Sequence, residues 1–138
     1  PVTEGTFVME DTPNIGESMV ENPGIYCKSA NVSVLAANGK TPLITLNQFG
    51  AGKAMYLSSF RVSKESTRFL MRALLTLLGK EDKVRDYICD NLYTECAYYE
   101  EIDKLVVINN SGDTQKTVIK TAKGDVTVEL APFATKIL

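Results

Sequence analysis

The sequence contains no histidine. That absence removes Ser-His-Asp and Cys-His catalysis by these residues alone, and most zinc sites with it. Cysteine is scarce: Cys27, Cys89 and Cys96 are an odd number without CxxC spacing. They read as buried or partly buried free thiols in a reducing cytoplasm rather than as a disulfide frame. No apolar run approaches the roughly 20 residues that a membrane-spanning helix needs. An excess of one charge is also missing. Fifteen Lys and Arg against 17 Asp and Glu leave a formal net charge of −2, so no electrostatic feature points to DNA or RNA. The opening PVTEGTFVME has neither the basic-then-apolar layout of a signal peptide nor an initiator methionine. It reads as the start of a segment from a longer, cytoplasmic chain.

What is present is an ordinary folding composition, 138 residues with 44% hydrophobic content, enough for one domain or two small ones. The organising stretch is Phe49 to Gly79. Gly50-Ala51-Gly52 supplies a tight turn, because glycine reaches positive φ at little steric cost. Ala54 to Phe60 reads as a buried strand. Ser63 is a suitable helix N-cap, Glu65 sits well in the first turn and Gly79 suits the position after the helix. On a helical wheel Leu70, Leu74, Leu77 and Leu78 share a face, widened by Met71, Ala73 and Leu75. Glu65, Arg68, Arg72 and Thr76 form the polar stripe. A helix this apolar is expected to pack on a sheet and beneath something else.

Before that stretch, Thr6 to Met9 is a short β-type run and Ile15 to Gly24 is loop-like. Ile25-Tyr26-Cys27 can form a short strand. Val32 to Ala36, a turn at Asn38-Gly39, Pro42 to Phe49 and Ala54 to Phe60 then make a three-stranded antiparallel meander. Pro42 is expected at a strand start or on an edge. After it, Val84, Tyr87 and Ile88 are spaced for a second, shorter amphipathic helix. From Glu95 the pattern is β throughout: ECAYYE, KLVVINN, TQKTVIKT, DVTVEL and FATKIL, separated by turn residues, as in a small sandwich or open barrel.

Candidate chemistry is thin. Gly50-Ala51-Gly52-Lys53 resembles a phosphate loop only superficially, since a strand follows it and a P-loop needs a helix. Glu95, Glu100, Glu101 and Asp103 form an acidic cluster that reads as solvated rather than as paired catalytic carboxylates. Tyr93, Tyr98 and Tyr99 could stack on sugar rings, but Tyr98 and Tyr99 should face opposite sides of a strand, with one in the core. Asn109-Asn110-Ser111 reads as a local turn before a ligand site. Arg61, Arg68 and Arg72 could bind an anion. Arg68 and Arg72 lie one helical turn apart, and a solvated or interdomain face is the simpler reading. No residue is assigned to catalysis or metal binding, and none to substrate.

In order, GKAMYLSSFRVSKESTRFLMRALL, DNLYTECAYY, KLVVINNSGDTQKT and VELAPFATKIL resemble the galacto-N-biose/lacto-N-biose phosphorylases, also called 1,3-β-galactosyl-N-acetylhexosamine phosphorylases. The resemblance runs from about Glu21 to Leu138. It implies a parent with an N-terminal (β/α)₈ catalytic barrel, an amidotransferase-like middle domain and a small C-terminal β domain. It also implies phosphorolysis of β1,3-linked galactosyl-N-acetylhexosamine with inversion, giving α-galactose 1-phosphate. Inorganic phosphate is then a co-substrate, no cofactor is needed, and one carboxylic acid on the barrel suffices because phosphate replaces the activated water.

The expected fold is therefore an α+β segment: residues 1–79 as the closing portion of an amidotransferase-like α/β domain, a linker helix within 80–94, and an antiparallel β-sandwich or barrel domain over 95–138. Its expected role is non-catalytic support of the missing barrel, with a homodimer as a possible assembly and neither nucleic acid nor membrane as partner. A carbohydrate-binding β module using exposed tyrosines and an unrelated scaffold domain are the rival readings.

Overall fold

Two short loops build the first sheet. Asn38 pairs with Thr41 and Phe49 with Gly52, leaving Gly39-Lys40 and Gly50-Ala51 as two-residue connections. Each opens on a glycine at positive φ, 56° at Gly39 and 57° at Gly50, as tight hairpins require. A computed structural model describes residues 7–83 and 86–138, which form two compact units divided between Glu81 and Asp82.

In the first unit, β1 (Val32–Asn38), β2 (Thr41–Phe49) and β3 (Gly52–Leu57) form the antiparallel meander read from the sequence, with β2 central. The central position explains the buried run from Pro42 to Leu46. Pro42 is tolerated there because β3 pairs with β2 only from Ile44 onward; at Pro42 the strand has β1 alone beside it, a local edge. Irregular register around Leu35 bends β1. Ahead of the sheet, Phe7–Met9 is helical and Ile15–Ser18 is a 3-10 turn. Thr6 lies outside the described residues; for the rest of that run the β reading is corrected to helix. Ile25–Cys27 forms no strand either and passes as irregular chain.

Helix α1 (Lys64–Leu77) has the predicted ends. The Ser63 hydroxyl accepts from the Ser66 N–H at 3.1 Å while the Ser63 N–H donates to the Ser66 hydroxyl at 2.8 Å. Serine thus completes a capping box usually closed by glutamate. At the other end Gly79 has φ 63°, its N–H donates to Thr76 O and the Lys80 N–H to Leu75 O, a Schellman closure. The faces, however, are reversed from the sequence reading. Ser66, Phe69, Arg72, Ala73 and Thr76 are buried. Leu70 is 37% exposed, Met71 38%, Leu74 52% and Leu78 66%. Phe69 and Ala73 join Val8, Ile15, Leu43 and Ile44 in the core, with Leu35, Met55 and Leu57 packed against it. The polar stripe turns inward because the Phe7–Asp11 segment supplies groups that receive an arginine.

The second unit is built mainly of strands, with one 3-10 turn at Glu100–Ile102 between the first two. β4 (Thr94–Tyr99), β5 (Lys104–Asn109) and β8 (Thr135–Ile137) form one antiparallel sheet in the order β4-β5-β8, and β6 (Gln115–Ile119) pairs antiparallel with β7 (Val126–Leu130) in another. All five predicted strands are present. Leu105 and Val107 from the first sheet meet Ile119, Val128 and Leu130 from the second in one core, so two small antiparallel sheets share an apolar interior. The second helix is not found among the described residues. Glu81–Lys83 is a 3-10 turn, residues 84 and 85 lie outside the description, and from Asp86 the chain bends and then extends. The Tyr87 N–H donates to Lys120 O at 2.7 Å and the Asp90 N–H to Val118 O at 3.0 Å. Cys89 bridges Ile119. Pairing along β6 satisfies this backbone where helical bonds would otherwise have to.

Close approach at Gly16 generates a prediction. A Cβ there would stand 2.8 Å from Ala36 Cβ, whereas at exposed Gly24 it would meet only Asn22 Oδ1 at 3.9 Å. Gly16→Ala is expected to lower stability in urea denaturation by about 1–3 kcal/mol. Gly24→Ala is expected to stay within about 0.5 kcal/mol of the parent. Equal effects would refute the packing account.

Candidate functional site

The densest polar cluster of the first unit joins α1 to the segment before the sheet. Arg72 Nε donates to Asp11 Oδ2 at 2.7 Å, and its Nη1 donates to Phe7 O at 3.1 Å and Glu10 Oε2 at 3.2 Å. The guanidinium also lies 4.6 Å from the Phe7 ring centroid. Arg68 Nη1 donates to the same Asp11 oxygen at 3.1 Å. The Arg72 side chain is only 4% exposed and that of Asp11 14%. Arg68 and Arg72 therefore do meet an anion, but it is the chain's own Asp11; the solvated-face reading of these two is corrected. Arg61 stays exposed and outside the cluster. An open groove of about 690 Å³ lies alongside, lined in part by Asp11, Thr12, Asn14, Arg61, Ser63 and Glu65. It is not built for an anion. Ser63 already occupies the helix N-terminus, and the Glu65 carboxyl is held below its ordinary value, chiefly by the N–H of its own residue.

In the second unit the acidic cluster is distributed over exposed positions. Of its members, Asp103 accepts from the Tyr98 hydroxyl at 2.7 Å and from Lys123 Nζ at 3.1 Å. Tyr98 in turn stacks on Tyr87 with centroids 4.1 Å apart and rings 4° from parallel. Donation to the carboxylate raises the Tyr98 pKa well above its ordinary value; the same bond, then Lys123, lowers that of Asp103. A phenol that holds its proton more tightly is a poor acid, and a carboxyl held ionised has no proton to give, so neither member of the pair is a ready proton donor near neutrality. Tyr98 packs against the core while Tyr99 is exposed, as the strand alternation predicts. One face of Tyr98 is already covered by Tyr87, and Tyr93 is exposed ahead of β4.

Asn109 is the residue whose importance the sequence reading missed. It is buried, and its Nδ2 donates to Asp113 O at 2.7 Å and Ala131 O at 2.9 Å. Its Oδ1 accepts from the Ser111 N–H at 2.9 Å and hydroxyl at 2.8 Å. The local turn is there, but the same side chain also fastens it to the β7–β8 connection. The only advance signal was an asparagine at an inward strand position. Gly50-Ala51-Gly52-Lys53 is a hairpin, with Lys53 Nζ 3.9 Å from Glu81. Cys89 is buried and Cys96 half-buried, but Cys27 is exposed, which corrects the reading of all three as sheltered; the irregular chain at 25–29 has no strand to cover it. Among the described residues no cluster of three or more acidic or thiol side chains could hold a metal ion, and no helix is long and apolar enough to cross a membrane.

Two predictions test these clusters. Arg72→Met takes the shorter of two ion pairs from the Asp11 carboxylate, leaving it Arg68 alone, and frees the Phe7 carbonyl; it is expected to cost about 1–3 kcal/mol in urea denaturation. Adding Asp11→Asn should then cost less than the sum of the single changes by about 1 kcal/mol or more; simple additivity would show that the pair is not coupled. For Tyr98, subtracting the alkaline absorbance titration of Tyr98→Phe from that of the parent should leave one phenol ionising above the ordinary value of about 10. Asp103→Asn should return it toward that value. With the folded phenol raised, its stabilisation is complete below the unfolded pKa and is lost as pH rises. With folded Asp103 lowered, its share is complete above about pH 4 and is lost as pH falls through the folded value.

Comparison with known proteins accounts for both units. The lacto-N-biose phosphorylase central domain matches residues 2–82, and the lacto-N-biose phosphorylase C-terminal domain matches residues 87–138. A D-galactosyl-β-1→4-L-rhamnose phosphorylase of Lachnoclostridium phytofermentans is 35% identical over 114 residues, 83% of this chain and 16% of that protein. A 1,3-β-galactosyl-N-acetylhexosamine phosphorylase of the same organism is 31% identical over 121 residues, 86% of this chain and 16% of its own length. The enzyme of that name from Bifidobacterium longum is 32% identical over 99 residues, 72% of this chain and 13% of its length. The chain thus spans about one sixth or less of these relatives. Two adjoining domain matches, in family order and together covering nearly every residue, establish that the chain belongs to the lacto-N-biose phosphorylase family.

Proposed function

We propose that the chain is the C-terminal, supporting part of a phosphorylase that cleaves galactosyl-β-linked disaccharides with inorganic phosphate to give α-galactose 1-phosphate. The observation that carries this reading is the order of the two matches, central domain followed by C-terminal domain. Catalysis belongs to an N-terminal barrel of the same polypeptide, and the residues described here brace it. Three local features support that division. The histidine-free sequence has no amidotransferase pair, the strongest polar cluster is consumed by internal ion pairs, and Asp103 is engaged by Tyr98 and Lys123. The first unit is read as the closing portion of an α/β domain of amidotransferase type, and the whole protein as a cytoplasmic enzyme that can form a homodimer. Because relatives named for N-acetylhexosamine and for rhamnose linkages both align with this chain, the acceptor is left to the barrel to select.

The test uses the product of the complete natural reading frame and the 138-residue chain side by side, each with phosphate and either lacto-N-biose, galacto-N-biose or galactosyl-β1,4-rhamnose. The expected outcome is phosphate-dependent release of galactose 1-phosphate from the longer protein with at least one disaccharide, and none from the shorter. Release by the 138-residue chain would overturn the supporting role. A folded long protein inert toward all three sugars would overturn the phosphorylase reading.

A further inference from the structure

From Leu70 to Leu78 every exposed residue of α1 and its C-cap is a large apolar one: Leu70, Met71, Leu74 and Leu78. They fall at i, i+1, i+4 and i+8, a single stripe along the helix. A solvated helix face carries charge, and this one carries none, while the buried face holds an arginine. The helix cannot be rolled to hide its leucines within this unit. Its inward face is fixed by Phe69 and Ala73 in the core and by Arg72 on Asp11, Glu10 and Phe7 O, and rolling it would strand those charges.

We infer that this stripe is the seam at which the polypeptide N-terminal to Pro1 packs permanently onto the first unit. The inference rests on the reading of the chain as part of a longer phosphorylase. Helix α1 lies within the match to a domain that is central in its family, so relatives have polypeptide ahead of it. Those relatives are also about six times longer than the stretch aligned here. An uncharged aliphatic stripe suits a buried intrachain contact, which forms once during folding and needs no charged rim to steer a diffusing partner. A second copy of the chain is the rival occupant.

The test compares the full reading-frame product with the 138-residue chain, both unsubstituted, for oxidation of Met71 by dilute hydrogen peroxide, read by peptide mass spectrometry. In parallel, Leu74→Cys in a Cys27→Ser background is labelled with a water-soluble maleimide in both lengths. Sulfoxide formation and labelling are each expected to be slower by about tenfold or more in the long protein. Equal rates in the two lengths, or a reading frame with nothing upstream of Pro1, would overturn the seam. So would protection in the 138-residue chain that grows with its concentration alongside a dimer in sedimentation, which would give the stripe to a second copy. Phosphorolysis by the unsubstituted long protein is read separately. Protection without phosphorolysis keeps the seam and removes the phosphorylase reading; phosphorolysis without protection does the reverse.

Discussion

The pairing of Arg72 with Asp11 is the constraint on which the first unit depends. A guanidinium that is 4% exposed has lost its hydration, and only a full set of acceptors makes that tolerable. Asp11, Glu10 and the Phe7 carbonyl provide the set, and the Phe7 ring covers the guanidinium. The direction in which α1 faces follows from this placement. Phe69 and Ala73 are carried into the core with Arg72, and the leucines are left on the opposite side. Arg68, one turn earlier, shares the same carboxylate oxygen, so two successive turns of the helix are held by one aspartate.

The second unit solves a related problem with a neutral group. Asn109 lies on the inner face of β5, where the neighbouring inward residues are Leu105 and Val107. An amide is acceptable there because carbonyls of two loops accept from its NH₂ while its oxygen receives Ser111, leaving little of its hydrogen-bonding capacity unmet. In each unit a polar side chain near an apolar core defines how a loop is attached. The difference is the reach of the bond. Asn109 fastens residues within about one hairpin, whereas Arg72 joins segments 61 positions apart.

That difference explains what could be read from the sequence. The meander was legible because Gly39 and Gly50 mark turns whose physics is local, and the five later strands because alternation and turn residues are local too. The caps of α1 were legible for the same reason. The direction in which α1 faces was not. A helix with leucine, methionine, phenylalanine and alanine on most sides has no inside face until its partners are known, and the deciding partner, Asp11, lies in a distant segment that looks like a polar turn. The second helix was expected from the spacing of Val84, Tyr87 and Ile88. The extended pairing of Tyr87 and Asp90 with β6 depends on residues some 30 positions later, and Tyr87 accepts a left-handed φ of 65° to make it. That the chain holds no histidine and no complete phosphate loop is a fact of composition and spacing and needs no fold.

The long reach of Arg72 also sets an order of assembly. The hairpins of β1, β2 and β3 close through two-residue loops, so their contacts form at small entropic cost, and α1 follows the last strand directly. Docking Phe7–Asp11 onto α1 closes a loop that encompasses the whole meander. The segment is therefore expected to join hairpins already closed, since its own closure spans the whole meander and costs the most chain entropy.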